Sequence, residues 1–183
     1  MKPILVNEQL FAETTYFNTD ERIVKLSEMF GFHRRRVLLG EGAVYNLGDE
    51  CRRLNARKVF LVRDPGIEAL EQPVRWILER EGIEITGSFT DIVPNPRVAG
   101  VDALASAVRA VPCDAVIAMG GGSTMDTAKV GLCVATCGGA TPDYFGFDLF
   151  DQPSRWPLIA VPTTAGTGAE VSKVAVIVSE GVK

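Results

Sequence analysis

Three consecutive glycines end a short apolar run and are followed at once by a helical pattern. The run Ala115–Met119 holds small and branched residues, which is typical of a strand buried on both faces. Gly120–Gly122 then remove every Cβ where a ligand could approach the backbone. We expect Ser123 to be the helix N-cap and Asp126 to complete a pair resembling a capping box. The sequence therefore predicts a strand, a turn and a helix N-terminus suited to an anion, or alternatively a βα turn without a ligand.

The rest of the chain repeats this alternation of strand and helix patterns. Such alternation predicts an α/β fold, with a Rossmann-like doubly wound parallel sheet and helices on both faces. The further strands are predicted at Val37–Leu39, Lys58–Val62, Ile83–Phe89, Leu158–Val161 and Val174–Val178, and the helices at Val44–Leu54, Ile67–Glu81, Val98–Val111 and Thr124–Cys137.

The first 32 residues are patterned more weakly than the rest. A helix is predicted over Glu21–Phe30, after the cap signal Asn18-Thr19-Asp20. We interpret residues 1–32 as an N-terminal extension that lies on the domain or on a neighbouring subunit. Residues 33–183 are then the α/β domain.

Composition and charge exclude several classes of protein. Of the 183 residues 46% are hydrophobic, which is ample for a folded core, and the net charge of −4 gives no electrostatic footprint for nucleic acid. No run approaches the ~20 apolar residues of a membrane span, and the N-terminus lacks the apolar core of a signal peptide. Four scattered cysteines form no C-x-x-C pair, so neither a disulfide framework nor a zinc cluster is expected. We expect a cytoplasmic protein that binds neither nucleic acid nor a membrane.

Polar residues follow three of the predicted strands, where ligands of such sheets bind. Asp64 could accept a hydrogen bond from an adenosine ribose and would repel a 2′-phosphate, although Arg63 beside it could accommodate that phosphate. The alternative for Asp64 is an ordinary Asp-Pro-Gly turn. The loop 162–167 supplies hydroxyls for a pyrophosphate, a ribose or a carboxamide, or these hydroxyls bind only their own backbone. The glycine turn itself matches neither common phosphate-binding pattern, because Met125 replaces the last glycine of G-x-G-x-x-G and no G-K-[ST] follows.

Two long motifs closely resemble the iron-containing alcohol dehydrogenase family. They are GGGSTMDTAK at 120–129 and PTTAGTGAEVS at 162–172. The segments FGFHRRRVLLGEGA, VFLVRD and VPNPRVAGV are also similar to that family, and the resemblance covers residues from about 30 to 183.

The resemblance implies NAD as the cofactor and gives roles to individual residues. Gly121, Gly122 and Ser123 would hold the pyrophosphate, and Asp126 would orient the loop or a ribose. Asp64 would bind the adenosine ribose, and Asn95 the ribose on the nicotinamide side. The phosphate and nicotinamide end would be lined by Thr163, Thr164, Thr167 and Ser172, with Lys183 on the cofactor ribose.

The resemblance also implies a divalent metal, iron or zinc, held by one aspartate and three histidines in a following helical domain. This chain has one histidine, His33, so we expect that domain to be absent and the 183 residues alone to be inactive. A return strand after Val174–Val178 would be missing as well, which predicts an exposed apolar face or edge.

The leading interpretation is the NAD-binding domain of a metal-dependent alcohol dehydrogenase. Such an enzyme interconverts a primary alcohol or small diol with its aldehyde or ketone, and we expect it to be a homo-oligomer. Two alternatives remain open. One is a free-standing nucleotide-binding module without catalysis, and the other is an assembly element in which residues 1–40 exchange strands across a homodimer.

Overall fold

The computed structural model describes residues 4–7, 36–146 and 149–179, and for residues 4–7 only the backbone. Within these residues one sheet has six strands in the order β2-β1-β6-β5-β3-β4. The strands are β1 (Ile4–Asn7), β2 (Arg36–Leu39), β3 (Lys58–Arg63), β4 (Glu84–Phe89), β5 (Ala115–Gly120) and β6 (Leu158–Pro162).

Four of the strands form the predicted parallel sheet, and two further strands extend it through antiparallel pairing. Strands β4, β3, β5 and β6 are parallel neighbours. Strand β1 pairs antiparallel with both β6 and β2, so the complete sheet is mixed. The α/β prediction is confirmed for the parallel part. Strand β1 belongs to the predicted N-terminal extension, and the division at residue 33 stays a prediction.

Helices cover both faces of the sheet, as predicted. A 3-10 helix (Ala43–Asn46) leads into α1 (Leu47–Arg53), and the longer helices are α2 (Glu68–Arg80), α3 (Val98–Arg109) and α4 (Gly122–Cys137). All six residues of β5 are buried, because alternate side chains face opposite helical layers. Ala115, Ile117 and Met119 pack in the core with α1 and α2, whereas Val116 and Ala118 pack in the core with α3 and α4.

The order of the strands creates a switch point between β3 and β5. The chain moves outward from β3 to β4 and then returns through α3 to β5, on the other side of β3. The connections after β3 and after β5 therefore leave the sheet in opposite directions. A crevice forms at such a point, outside the carboxyl ends of the strands, and it is where open α/β sheets bind their ligands.

The segment after β6 does not form the strand predicted at Val174–Val178. Apart from one parallel bridge between Arg97 and Val178, it pairs with no described strand. Its backbone groups are instead bound by side chains of α4, as described below. Val174 and Val176 remain 50% and 69% exposed, so the predicted exposed apolar surface is present although the predicted strand is wrong.

Three further predictions concern membrane helices, the N-terminal helix and the thiols. No described helix is long and apolar enough to cross a membrane. The helix predicted over Glu21–Phe30 lies outside the described residues. All four cysteines carry free thiols, and burial, with a smaller contribution from Glu50, raises the pKa of Cys51 to about 12. Cys51 is therefore a packing residue rather than a nucleophile.

Arg109 links the two helices on one face of the sheet. Its Nε donates to the Ala135 carbonyl at 2.8 Å, and its Nη2 donates to the Val134 carbonyl. These carbonyls lie in the last turn of α4, where the helix dipole favours a cation; the Val134 carbonyl also accepts from the N–H of the C-cap residue Gly138 at 2.9 Å.

We predict that Arg109→Met lowers the free energy of unfolding by about 1–2 kcal/mol, because it removes two charge-assisted hydrogen bonds and a cation from the end of α4. Urea denaturation followed by circular dichroism measures the change. Arg57→Met is the matched control, since the side chain of Arg57 is exposed. Equal midpoints for the two variants would contradict this role of Arg109.

Candidate functional site

The glycine turn begins at a position that admits no side chain. Gly120 has φ +155°, and a Cβ built there would lie 2.1 Å from Thr124 Oγ1 and 3.1 Å from Asp64 Cβ. The end of β3, the end of β5 and the first turn of α4 therefore meet at one glycine. Gly120 is required by contact as well as by conformation.

Helix α4 starts two residues earlier than predicted. It begins at Gly122, and its N-cap is Gly121 in extended conformation, so the prediction of Ser123 as N-cap is wrong. The predicted capping-box pair with Asp126 is wrong too, because that carboxylate is bound elsewhere. Glycine is an acceptable N-cap, and three in a row let the backbone enter the helix before the serine. Ser123 lies within the first turn, where its carbonyl accepts from Thr127 Oγ1 at 2.7 Å.

The first turn of α4 has the features of an anion site. The first N–H groups of a helix have no intrahelical acceptor, and the dipole adds partial positive charge at that end. Thr124 is fully buried, and its Oγ1 has no hydrogen-bond partner among the described residues. Sequence reasoning missed Thr124. The available signal was a hydroxyl residue directly after Ser123 in the first turn.

Asp64 lies against this turn at the end of β3. Its backbone N–H donates to the Met119 carbonyl at 3.0 Å, which continues the pairing of β3 with β5. Its Oδ1 accepts from the N–H of Gly66 at 2.7 Å, so the Asp-Pro-Gly turn proposed as the alternative is formed. Among the described residues nothing donates to Oδ2. One carboxylate oxygen thus shapes the turn, and the other can accept a further hydrogen bond.

Arg63 is committed to the opposite face of the sheet. Its guanidinium forms an ion pair with Glu71 of α2, and both side chains are 11% exposed. Nη1 also donates to the Asp64 carbonyl at 3.0 Å. Arg63 therefore has partners within the protein and is not directed toward a phosphate beside Asp64.

The threonine loop, residues 163–167, closes over the glycine turn. The N–H of Thr163 donates to the Gly120 carbonyl at 2.9 Å. A Cβ on Gly121 would lie 3.0 Å from Thr164 Oγ1, and one on Gly122 would lie 3.3 Å from Thr167 Cγ2. The predicted glycines and threonines are thus brought together, with bare backbone on one side and hydroxyls on the other.

The remaining predicted site residues lie outside the contact between the glycine turn and the threonine loop. Asn95 is exposed in the loop after β4, with φ +56°, on the same edge of the sheet as the glycine turn. The Oγ of Ser172 accepts from the Val174 N–H at 3.0 Å. Asp126 binds the N–H of Val176 and the ammonium group of Lys129. Lys183 lies outside the described residues.

The described residues do not fit the metal that the family resemblance implies. Nowhere between residues 36 and 146 or between 149 and 179 do three or more His, Cys, Asp or Glu side chains gather to hold a metal ion. His33 lies outside these ranges. No residue in these ranges is assigned as a metal ligand.

We predict that Gly120→Ala destabilises the protein by about 2–4 kcal/mol, because the new methyl group overlaps Thr124 and the backbone is strained. Gly100→Ala is the matched control: it lies in the first turns of α3, its Cβ would have an ordinary contact 3.9 Å from the Asp91 carbonyl, and we expect it to be neutral or stabilising by up to ~1 kcal/mol. Thermal denaturation distinguishes the two, and equal melting temperatures would contradict the close contact at Gly120.

Two curated proteins with similar sequences are dehydrogenases. The chain is 37% identical over 165 residues to choline dehydrogenase of Bacillus subtilis, with 86% of this chain and 41% of the relative covered. It is 36% identical over 154 residues to 4-hydroxybutyrate dehydrogenase of Cupriavidus necator, with 81% and 40% covered. The chain thus spans about two fifths of the length of these curated relatives.

Solved structures show the same fold at similar coverage. A 1,3-propanediol oxidoreductase matches with a TM-score of 0.69 and 33% identity, covering 76% of this chain and 37% of that one. Sulfoacetaldehyde reductase from Bifidobacterium kashiwanohense, solved in complex with NAD+, matches with a TM-score of 0.66 and 31% identity, at the same coverage. The sequence model of the iron-containing alcohol dehydrogenase family matches residues 34–183, and the chain belongs to that family.

Proposed function

We propose that this chain binds NAD at the glycine turn and serves as the cofactor-binding part of a metal-dependent alcohol dehydrogenase. The substrate would be a primary alcohol or a small diol, interconverted with its aldehyde or ketone. One observation carries the proposal. The bare backbone of 120–122 opens helix α4 at the switch point of the sheet, opposite a loop of hydroxyls and next to a half-buried carboxylate.

The glycine turn is proposed to bind the pyrophosphate. Backbone N–H groups of Gly122 and Ser123 suit phosphate oxygens at a helix N-terminus, and Gly121 lets those oxygens approach. Hydroxyls of the threonine loop add neutral donors from the other side. The proposed cofactor residues of these two segments are Gly121, Gly122, Ser123, Thr163, Thr164 and Thr167.

The riboses are proposed to bind on either side of the pyrophosphate. The free oxygen of Asp64 suits the hydroxyls of the adenosine ribose, and Asn95 lies on the same sheet edge for the nicotinamide side. Ser172, Asp126 and Lys183 complete the proposed set. NAD supplies a hydride acceptor for alcohol oxidation, in which the carbinol C–H bond loses its hydride and the hydroxyl loses a proton.

Preference for NAD over NADP follows from the two charged residues at the end of β3. Asp64 is half-buried, and a 2′-phosphate beside it would bring two anions together. Arg63 could offset that repulsion only by leaving its nearly buried ion pair with Glu71. We therefore propose NAD as the cofactor.

We also propose that the whole protein is cytoplasmic and homo-oligomeric and that it uses iron or zinc. Support for the metal comes from membership in the iron-containing family. The described residues are assigned no part in holding it.

We expect wild-type protein to bind NAD more tightly than NADP in calorimetric titrations, and Asp64→Asn to narrow the difference roughly 10-fold. Asparagine keeps an oxygen for the N–H of Gly66 but removes the charge that repels the 2′-phosphate. Asp91→Asn is the matched control, because Asp91 is exposed in the loop after β4. An unchanged ratio in Asp64→Asn would contradict the assignment of Asp64, and no NAD binding by wild type would contradict the proposed function.

Hydride transfer distinguishes the enzyme from a binding module. The 183-residue chain is incubated with NAD, iron or zinc, and a series of primary alcohols and diols, and formation of NADH is followed at its absorbance band. Turnover by this chain alone would contradict both the module and the expected inactivity of the isolated 183 residues.

A further inference from the structure

We propose that Lys129 is a positioning residue of the dinucleotide site. Together with Asp126 it forms a clamp that fixes residues 172–176 to helix α4, and so holds the far end of the threonine loop against the glycine turn. The part of this inference that concerns NAD rests on the proposed function. The contacts of the clamp do not depend on it.

The ammonium group of Lys129 makes two hydrogen bonds and one ion pair inside the protein. Nζ lies 2.9 Å from Asp126 Oδ1, and it donates to the carbonyls of Val174 at 2.6 Å and Ser172 at 3.3 Å. An ammonium group has three N–H donors, and three acceptors surround it here. The Lys129 side chain is 10% exposed. Because its ammonium group is nearly buried and directed at the backbone of residues 172–174, Lys129 acts through the chain that it holds.

Asp126 completes the clamp from one turn earlier on the same helix. Its Oδ2 accepts from the N–H of Val176 at 3.0 Å, and its side chain is 14% exposed. Residues three apart lie on one face of a helix, so Asp126 and Lys129 reach the crossing segment side by side. Between them they bind two carbonyls and one N–H of that segment.

The clamp fixes the threonine loop because the loop is tied at its start as well. At the start, the N–H of Thr163 donates to the Gly120 carbonyl at 2.9 Å. After its end, the N–H of Ser172 donates to the Gly168 carbonyl at 2.9 Å, in a turn whose last carbonyl is bound by Lys129. Between these anchors residues 164–167 are exposed. Loss of the Lys129 contacts would weaken the far anchor, where Ala169 in the core and the bond from the Val176 N–H to Asp126 would remain.

The experiment compares the full chain carrying Lys129→Met with wild type by amide hydrogen exchange and by titration with NAD. We expect exchange across residues 163–176 to become about 10-fold faster, because the loop opens locally without the clamp, and NAD to bind roughly 10-fold more weakly. Lys58→Met is the control. Lys58 lies at the amino end of β3, on the opposite edge of the sheet, and it should change neither measurement.

Lys129→Met leaves Asp126 charged and nearly buried, so it is accompanied by the double variant Asp126→Asn/Lys129→Met. That variant has no unpaired charge and keeps an acceptor for the N–H of Val176. It should melt close to wild type and still show the faster exchange; its NAD affinity does not test the clamp, because Asp126 belongs to the proposed cofactor set.

Each result decides part of the inference. Unchanged exchange over residues 163–176 in a folded variant would overturn the clamp. Faster exchange with unchanged NAD affinity would overturn the link from clamp to cofactor while the proposed function stands. If wild type does not bind NAD, the proposed function and that link fail together, and the exchange measurement still decides the clamp.

Discussion

The close approach of three backbone segments at Gly120 is the constraint on which the rest of the site depends. The end of β3 is held there by the hydrogen bond from the Asp64 N–H to the Met119 carbonyl, and the threonine loop by the one from the Thr163 N–H to the Gly120 carbonyl. Thr124 of α4 fills the space that a side chain at Gly120 would need. Any side chain there would have to separate the strand end from the helix. The absence of one methyl group thus aligns the carboxylate, the helix N-terminus and the hydroxyl loop.

Magnitudes indicate how such a site can hold a dinucleotide. A helix terminus contributes about 0.3–2 kcal/mol to a bound anion, and a neutral hydrogen bond contributes about 0.5–1.5 kcal/mol. A micromolar complex needs about 8 kcal/mol in excess of the cost of ordering its parts. No single group supplies that amount, so affinity depends on several donors that are already in position. The proposed Lys129 clamp would contribute to affinity in this way, by lowering the cost of ordering the threonine loop.

The sequence predicted the elements whose burial is regular, and it missed what depends on contacts between distant segments. The apolar runs of β5 and β6 and the helix that follows the glycines are where the pattern indicated, because strands buried on both faces have few alternatives. Val174–Val178 has the composition of a strand but lies beside α4, whose side chains take its hydrogen bonds. Ser123 has the residue type of an N-cap, but the glycines allow the helix to begin before it, at Gly122. The clamp was not predictable, because residues 129 and 174 are far apart in sequence and only the fold brings them together.

The adjacent charges Arg63 and Asp64 show how strand geometry can decide cofactor choice. Side chains alternate along β3, so Val59 and Leu61 belong to the core under α2, and Phe60 and Val62 to the core under α4. Arg63 continues the first series and meets Glu71 of α2, whereas Asp64 continues the second and meets the glycine turn. From sequence alone the arginine could have offset the charge of the aspartate at a 2′-phosphate. The alternation of the strand places them on opposite faces, and the carboxylate alone remains beside the proposed ribose site. A shift of one residue in β3 would exchange the two side chains and with them the sign of the charge at that site.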